Sequence, residues 1–392
     1  MPGRTGLARH APVDRIRRLP ALQQPEWPDR DALDEVLRAL PPEDLVGPES
    51  VAELRTELAR LDAGGGLVLQ LGHCVEDIDT DMGAYTRCML AFLTHFRSHL
   101  RARTGRHVVG VGRLAGQYAK PRSQDHELVD GVRLPSYRGP IVNAPGATPR
   151  ARLPRPERIA EAHSASLASY ATIADHHRAT AYLDPVWTSH EMLLLDYELR
   201  FVRQGAAGLH LGTTHWPWIG ARTRQPGGAH VALAAALANP VSVKVGPDTS
   251  PEEAAELAAV LNPRDEPGKL TFIVRMGHTA IDRLGPVVRA VRRRVEHVHW
   301  ISDPMHGNTV TGAHGFKTRH LEHIVAELTG FQQVLVEAGG RPAGMHLEAT
   351  PEDVFECAEG GREPRDPARY RSLLDPRLNP EQTAQVLGHW WA

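Results

Sequence analysis

Short hydrophobic runs recur along the chain, and most of them end in a glycine or in a group of charged residues. Seven runs have the length and the β-branched content of strands, and an eighth strand is predicted near residues 181–187. The seven runs cover residues 66–72, 107–112, 214–220, 240–246, 269–277, 297–303 and 343–349.

Stretches with helical periodicity lie between several of these runs. One starts with Ser250 as a capping residue and has Glu253 in position to complete a capping box. Other helices are predicted over residues 29–40 and 318–338, the second ending at two glycines. Alternating strands and helices are typical of a parallel sheet. About eight such units predict an α/β fold, a (β/α)8 TIM barrel with an N-terminal extension.

The N-terminal part of the chain differs from the rest. Residues 1 to about 30 are rich in proline, arginine and glutamine, which predicts an extended or partly ordered arm, and the helix at 29–40 stops at two prolines. We therefore expect an N-terminal arm and helix extension over residues 1–60 and the catalytic barrel over residues 61–392.

The charge balance argues against nucleic-acid and membrane partners. The 392 residues include 45 basic and 47 acidic side chains, spread along the chain, for a formal net charge of -2. The chain starts without the apolar stretch of a signal peptide, and its three cysteines do not suggest a disulfide framework. A cytoplasmic location with reduced thiols is expected.

Metal-ligating residue types follow the predicted ends of three strands and recur just beyond the last one. The candidates are Cys74, His306, Glu348 and Asp375. Active sites of TIM barrels lie at the carboxyl ends of the strands, so these groups are expected at one mouth. A mixed sulfur, nitrogen and oxygen set suits Mn, Fe, Co or Zn. Isolated cysteines and histidines are also common in cores, and the spacing alone leaves both interpretations open.

Basic residues also gather after the predicted strands, and they indicate a multiply charged anion such as phosphate. They are Arg113, Lys120, Arg122, Arg222, Arg224, Lys244 and Arg275, with Ser123 beside them. Lysine occurs at only four positions, 120, 244, 269 and 317, so its use at 120 and 244 supports a specific role. Glu191 is either a carboxylate at a helix start or a site acid, and Trp218 is either packing or a pocket wall.

Several motifs occur together in order, and as a set they resemble the type II 3-deoxy-D-arabino-heptulosonate 7-phosphate (DAHP) synthases, in a short form. They are PALQQPEWPD (20–29), GRLAGQYAKPRS (112–123), WTSHEMLLLDYE (187–198), WIGARTR (218–224), NPVSVKVGP (239–247), RMG (275–277), DPMHGNT (303–309), GFKTRH (315–320), HLEAT (346–350) and DPRLN (375–379). The similarity runs from residue 20 to the C-terminus.

The resemblance implies a metal-dependent transferase that condenses phosphoenolpyruvate with erythrose 4-phosphate and releases phosphate. This reaction is the first step of the shikimate pathway toward chorismate and the aromatic amino acids, and a secondary pathway is another use of its product. The implied metal ligands are Cys74, His306, Glu348 and Asp375, with manganese as the leading ion. The implied phosphoenolpyruvate site has Arg113, Arg222, Lys244 and Arg275, with Trp218 and Ala221 beside them, and the implied sugar-phosphate site has Lys120, Arg122 and Ser123. Lys120, Glu191 and His306 are the candidate catalytic residues. The family also implies a homo-oligomer, a dimer or larger.

The sequence departs from the family pattern at several positions. Acidic residues of familiar members are replaced by His73, Ala221 and Gly227. Some relatives have a cysteine that pairs with the metal cysteine where this chain has Leu374, so no such redox switch is expected. The short segment between Tyr137 and Trp187 predicts weak inhibition by aromatic amino acids.

Two alternatives to this synthase remain. One is a paralogue that condenses phosphoenolpyruvate with another aldehyde, such as an amino-sugar phosphate. The other is a non-catalytic paralogue that serves as a binding or regulatory subunit. Retention of all four candidate metal ligands argues against the second alternative.

Overall fold

Eight parallel strands close into a barrel in the computed structural model, which describes residues 11–129 and 131–391. In chain order the strands are β1 (Leu67–Gly72), β2 (Val108–Arg113), β3 (His126–Val129), β4 (Val132–Pro135), β5 (Val186–Glu191), β6 (Val202–Gly205), β7 (Gly208–Leu211), β8 (Trp216–Ile219), β9 (Val241–Val245), β10 (Leu270–Val274), β11 (Val298–Ser302), β12 (Thr309–Thr311), β13 (Lys317–Arg319) and β14 (Pro342–Glu348). Around the barrel the order is β1-β14-β11-β10-β9-β8-β5-β2, and the remaining strands form three hairpins. The predicted TIM-barrel architecture is confirmed.

Helices connect the barrel strands and cover their outer faces. They are α1 (Ala11–Ile16), α2 (Arg30–Ala39), α3 (Pro48–Gly64), α4 (Met82–Thr104), α5 (Pro149–Arg152), α6 (Glu157–Ala179), α7 (Leu195–Glu198), α8 (Ala229–Ala236), α9 (Pro251–Leu261), α10 (Leu284–Arg292), α11 (Leu321–Glu337) and α12 (Pro380–Gly388). Ser250 caps α9 as predicted, but the Glu253 carboxylate accepts a hydrogen bond from Arg224 instead of completing the capping box. The start of α11 is later than predicted because residues 317–319 pair with β12.

One end of the barrel is closed and the other is open. Leu54 and Leu58 of α3 belong to the same buried cluster as the strand residues Val68, Trp216 and Ile273. Helix α3 leads directly into β1, so its apolar face plugs the amino end of the barrel. A plugged amino end leaves the carboxyl ends of the strands as the accessible face for a ligand.

The eighth predicted strand lies later in the chain than expected. Residues 181 and 182 form a turn with positive φ, and the strand β5 begins at Val186. The polar residues of β5 are buried and paired, since Thr188 contacts the Tyr170 hydroxyl at 2.7 Å and Ser189 accepts from Gln70 at 2.7 Å. Because β5 contains so many polar residues, it lacks the hydrophobic pattern from which the positions of the other strands were predicted.

The segment before β1 packs along the barrel helices. Helix α1 contacts α8, and α2 contacts α6. Helix α1 lies within the predicted arm of residues 1–30, whose first ten residues are outside the described part. The boundary near residue 60 stays a prediction. Cys74, Cys88 and Cys357 are free. No helix in the described ranges is both long and apolar enough to cross a bilayer.

Candidate active site

A cavity of about 480 Å³ opens at the carboxyl ends of the barrel strands. All but three of the predicted site residues line it: Arg113, Lys120, Arg122, Ser123, Glu191, Trp218, Ala221, Arg222, Lys244, Arg275, His306 and Asp375. Cys74 and Glu348 are buried beside Asp375, and Arg224 points away from the cavity. The closure of the barrel therefore brings together residues that are up to 301 positions apart, as the contact between Cys74 and Asp375 shows.

Three of the four predicted metal ligands form a compact group. One ligand atom from each of Cys74, Glu348 and Asp375 lies within 4.8 Å of the others. Strand pairing sets Glu348 beside Gly72 at the end of β1, two residues before the cysteine. His306 is the fourth candidate, and its Nε2 lies 3.0 Å from Glu348 Oε1.

The electrostatics of this group fit a divalent cation. Burial raises the pKa of the Cys74 thiol, and Glu348 raises it further. Burial also opposes ionisation of Asp375, but Lys120, Arg319 and Lys317 together outweigh it and lower the pKa of Asp375 to about 2. Lys120 Nζ lies 3.9 Å from Asp375 Oδ2, and Lys317 Nζ lies 3.2 Å from Oδ1. A bound divalent ion would compensate the carboxylates and favour the thiolate form of the sulfur.

Glu348 is held by several cationic groups. Arg113 and Arg319 contact its carboxylate at 2.9 and 2.8 Å, and both side chains are almost fully buried. Burial would raise the pKa of Glu348, but His306, Arg319 and Arg113 together hold it well below its usual range. Glu348 is therefore an ionised ligand candidate. Sequence reasoning missed Arg319, although it lies in the GFKTRH motif.

Lys244 and Arg275 approach the cavity from two neighbouring strands. Lys244 Nζ lies 2.8 Å from Asp303 Oδ2 and 3.4 Å from His306 Nδ1. Burial lowers the pKa of Lys244, and the neighbouring Asp303 opposes that shift. The Arg275 guanidinium donates to the backbone oxygen of His306 at 3.1 Å. Asp303 also holds His306 Nδ1, at 2.8 Å, which directs Nε2 toward Glu348. Asp303 was not among the predicted site residues, and its place at the end of β11 was the available signal.

Trp218 forms part of the cavity wall, and its indole is 1% exposed. The Arg113 guanidinium carbon lies 5.4 Å from its ring centroid, and Lys244 Nζ lies 5.8 Å from it. The ring thus lies close to two cations, at distances that allow cation–π attraction. This geometry accounts for a buried tryptophan at the mouth of the barrel.

A second group of basic residues forms the outer wall of the cavity. The Arg122 guanidinium is paired with Glu127, and Arg222 donates to the Ser123 hydroxyl. Arg224 points elsewhere, because it pairs with Asp248 and Glu253. Of the two arginines in WIGARTR, only the first lines the cavity.

Glu191 ends strand β5, which removes its interpretation as a helix-start carboxylate. The side chain is 7% exposed, and its Oε1 has no hydrogen-bond partner among the described residues. A Cβ at position 220 would lie 2.0 Å from this oxygen, so Gly220 leaves room for the carboxylate. A buried carboxylate oxygen facing a cavity without a partner is available to a ligand or water.

Glu76 positions the loop after β2 and was missed by sequence reasoning. Its carboxylate accepts hydrogen bonds from the backbone N–H groups of residues 115, 116 and 117, at 2.8 to 3.0 Å. The side-chain oxygen of Gln117 accepts a hydrogen bond from the backbone N–H of Glu191, at 2.9 Å. This loop leads directly to Lys120, so the three hydrogen bonds to Glu76 fix the backbone that carries the lysine. The place of Glu76 shortly after the end of β1, two residues beyond Cys74, was the sequence signal.

The three departures from the family pattern occupy different environments. Ala221 lines the cavity, and its backbone oxygen accepts from Arg224 at 2.7 Å. His73 lies outside the cavity, 3.3 Å from the Arg377 guanidinium. Gly227 has open space at its Cβ position. Only the change at position 221 alters the wall of this cavity.

Comparison with known proteins gives a consistent result over nearly the whole chain. The model of the Class-II DAHP synthetase family matches residues 11–182 and 171–387. A probable phospho-2-dehydro-3-deoxyheptonate aldolase of Pseudomonas fluorescens is 43% identical over 389 residues, which cover 97% of each chain. A phospho-2-dehydro-3-deoxyheptonate aldolase of Streptomyces coelicolor is 38% identical over 426 residues, covering 94% of each chain. Phospho-2-dehydro-3-deoxyheptonate aldolase AroG of Mycolicibacterium smegmatis is 36% identical over 427 residues, covering 94% of this chain and 91% of its own.

Proposed function

The chain belongs to the class-II DAHP synthetase family, a family of transferases, and we propose that it condenses phosphoenolpyruvate with erythrose 4-phosphate. The products would be DAHP and inorganic phosphate. The observation that carries the proposal is a single cavity in which a cationic wall adjoins a thiol and two carboxylates. Phosphate and carboxylate groups suit the first region, and a divalent ion suits the second.

We propose that Cys74, His306, Glu348 and Asp375 hold a divalent metal ion, manganese first, with cobalt, zinc and iron as alternatives. The buried thiol beside two ionised carboxylates supports this assignment, because a mixed sulfur and oxygen ligand set suits a borderline divalent ion. When bound, the ion supplies Lewis acidity at the aldehyde oxygen.

The cationic residues bring two anionic substrates together. Arg113, Lys244 and Arg275 would hold phosphoenolpyruvate against Trp218. Arg222 would share its phosphate, while Lys120, Arg122 and Ser123 would hold erythrose 4-phosphate. The Arg122–Glu127 ion pair would open or rearrange when the sugar phosphate binds. Neutralising and orienting both anions reduces the electrostatic and entropic cost of the bimolecular step.

Proton transfers fall to side chains already in place. In the first step, C3 of phosphoenolpyruvate bonds to the aldehyde carbon, and the aldehyde oxygen takes a proton. Burial would lower the pKa of Lys120, but Glu348, Cys74 and Asp375 raise it above its usual value, so the ammonium is a proton donor for that oxygen. Water then adds at C2, and phosphate leaves from the same carbon. Glu191, with its unpartnered Oε1, would take the proton from that water.

The direct test follows loss of the enol absorbance of phosphoenolpyruvate when metal-loaded protein meets erythrose 4-phosphate. Loss that requires both substrates and a divalent metal would support the proposal. Absence of loss with each of the four metals would overturn it. Loss only with another aldehyde, such as an amino-sugar phosphate, would select the second candidate, which Ala221 in the cavity wall favours. A Cys74→Ser variant should also bind less metal, and unchanged metal content would remove this residue from the site.

We further propose that the protein is a homo-oligomer, a dimer or larger, as the family implies.

We also propose weak inhibition by aromatic amino acids. Between Tyr137 and Trp187 the only long helix is α6, which packs on α4 as a barrel helix. All residues of this segment are described, and they leave no additional helical pair for an effector site there. Clear inhibition by phenylalanine or tryptophan at sub-millimolar concentration would contradict the proposal.

A further inference from the structure

Residues 20–29, here called the N-terminal brace, lie beside the open end of the barrel and contact three of its loops. The Pro20 oxygen accepts from the Ala229 N–H at the start of α8, at 2.9 Å. Gln23 reaches the loop after β2, and Gln24 reaches the segment after β5. The brace therefore links the loops that follow three adjacent barrel strands, β2, β5 and β8.

Gln23 holds the backbone of the proposed sugar-phosphate loop. Its Oε1 accepts from the Arg122 N–H at 2.8 Å. Pro121 offers no N–H, and the Lys120 N–H is used by the Arg138 oxygen at 2.9 Å. Arg122 therefore depends on a side chain that arrives from 99 residues earlier. Gln23 adopts φ 65°, a left-handed conformation that is unfavourable for glutamine, so the surrounding contacts hold it there.

Gln24 and Trp27 fix the brace to the segment that follows Glu191. Gln24 donates to the Leu193 oxygen at 2.8 Å and accepts from the Leu195 N–H at 3.0 Å. Trp27 is 6% exposed, and its indole N–H donates to Asp196 Oδ2 at 2.9 Å. Both polar ends of the Gln24 amide are thus used on one loop. This second attachment gives Gln23 a rigid base from which to hold Arg122.

We infer that Gln23 is a positioning residue for erythrose 4-phosphate, acting through the backbone of Arg122. The inference rests on the proposed function, because it takes the loop at 120–123 as the sugar-phosphate site. Without the Gln23 side-chain oxygen, the loop loses its hydrogen bond to the brace. The backbone at Arg122 and Ser123 is then less well ordered before the substrate binds. Of the residues proposed to hold phosphoenolpyruvate, Arg113, Lys244 and Arg275 form no hydrogen bond with the brace in the described part of the chain. Arg222, which would share the phosphate, contacts this loop through the Ser123 hydroxyl.

Kinetics of a Gln23→Leu variant test this inference. The KM for erythrose 4-phosphate should rise about fivefold, the effect of one lost hydrogen bond, with the KM for phosphoenolpyruvate and kcat changed by less than about twofold. Gln23→Glu keeps an acceptor oxygen and should restore the normal KM. Leu22→Ala, at a neighbouring side chain that is 51% exposed, is the matched control and should behave as the unaltered protein.

Hydrogen exchange supplies a readout that does not depend on activity. Peptides that include Arg122 should exchange faster in Gln23→Leu, but not in Gln23→Glu or Leu22→Ala. Unchanged exchange and an unchanged KM would overturn the inference. A lower melting temperature with an unchanged KM would do the same, since it indicates a structural role only. If the unaltered protein does not use erythrose 4-phosphate, the proposed function is wrong. The exchange data then still show whether Gln23 holds the loop.

Discussion

The two ends of the barrel each contain a buried lysine, and the two lysines have different surroundings. Lys244 is the fourth residue of β9, near its carboxyl end, and its ammonium contacts Asp303 and His306 in the cavity. Lys269 comes directly before β10, at the amino end, and donates to the backbone oxygens of residues 237 and 239. Each lysine is 6% exposed.

The difference lies in what compensates the buried charge. Burial lowers the pKa of both lysines, but Asp303 opposes the shift at Lys244. Lys269 has Arg55 and Arg264 nearby instead, and its pKa falls to about 7. The lysine at the open end faces the cavity that we propose for anions, whereas the one at the closed end holds the backbone of the loop after α8. In a TIM barrel, position along the strand thus separates a proposed binding role from a structural one.

Replacement of Lys244 with methionine should produce the largest effect. We expect kcat/KM to fall by about 10³-fold, because a preorganised cation is removed from the proposed phosphoenolpyruvate site. Asp303 keeps its contact with His306, so the variant should fold. Steady-state kinetics on protein with an unchanged circular dichroism spectrum would check this. A kcat/KM within tenfold of the unaltered protein would contradict the assignment of Lys244 to the phosphoenolpyruvate site.

Glu191→Gln should be the next largest loss, again at the open end. The amide cannot accept a proton, so kcat should fall by about 10²-fold, with a smaller change in either KM. Single-turnover rates measured across pH would separate lost proton transfer from lost binding. A variant with normal kcat would assign the unpartnered oxygen to packing rather than chemistry.

Lys269→Met should alter stability instead of catalysis. The backbone oxygens that lose their donor are buried, so above about pH 10.5, where the lysine is neutral in both the folded and the unfolded chain, the free energy of unfolding should fall by about 2 kcal/mol. The kcat/KM of the folded variant should stay within roughly twofold, because the site lies at the other end of the barrel. Urea denaturation and kinetics on the same preparation measure both quantities. A large loss of kcat/KM in the folded variant would contradict a purely structural role for Lys269.

The last expected effect is on the pH dependence of stability. An unfolded lysine has a pKa near 10.5, whereas folded Lys269 titrates near 7. Between these values the unfolded chain binds a proton that the folded chain does not, so this group makes stability rise with pH. Its destabilising contribution is complete below pH 7 and is relieved above it. In Lys269→Met the slope between pH 7 and 9 should decrease by up to about 1.4 kcal/mol per pH unit. Equal slopes in denaturation series of the two proteins would rule out a depressed Lys269 pKa.

The sequence predicted the barrel and most of the cavity wall for a physical reason. Hydrophobic strands alternate locally with helices, and residues just after a strand must lie at its carboxyl end, as Arg275 and His306 do. Strand β5 was misplaced because its polar side chains are satisfied inside the barrel by residues distant in sequence, such as Gln70. Asp303, Arg319 and Glu76 were missed because their importance comes from partners that only the closed barrel supplies.

The sequence alone determined the architecture, the family and the kinds of side chain available for anions and a metal. These properties follow from local periodicity and from motifs read in order. The tertiary structure alone decided that Lys317 joins Lys120 and Lys244 in the cavity wall, that Ala221 and not His73 lines it, and that Gln23 contacts the loop of Arg122. Burial, charge compensation and hydrogen-bond partners depend on strand register and barrel closure, and a linear chain does not display them.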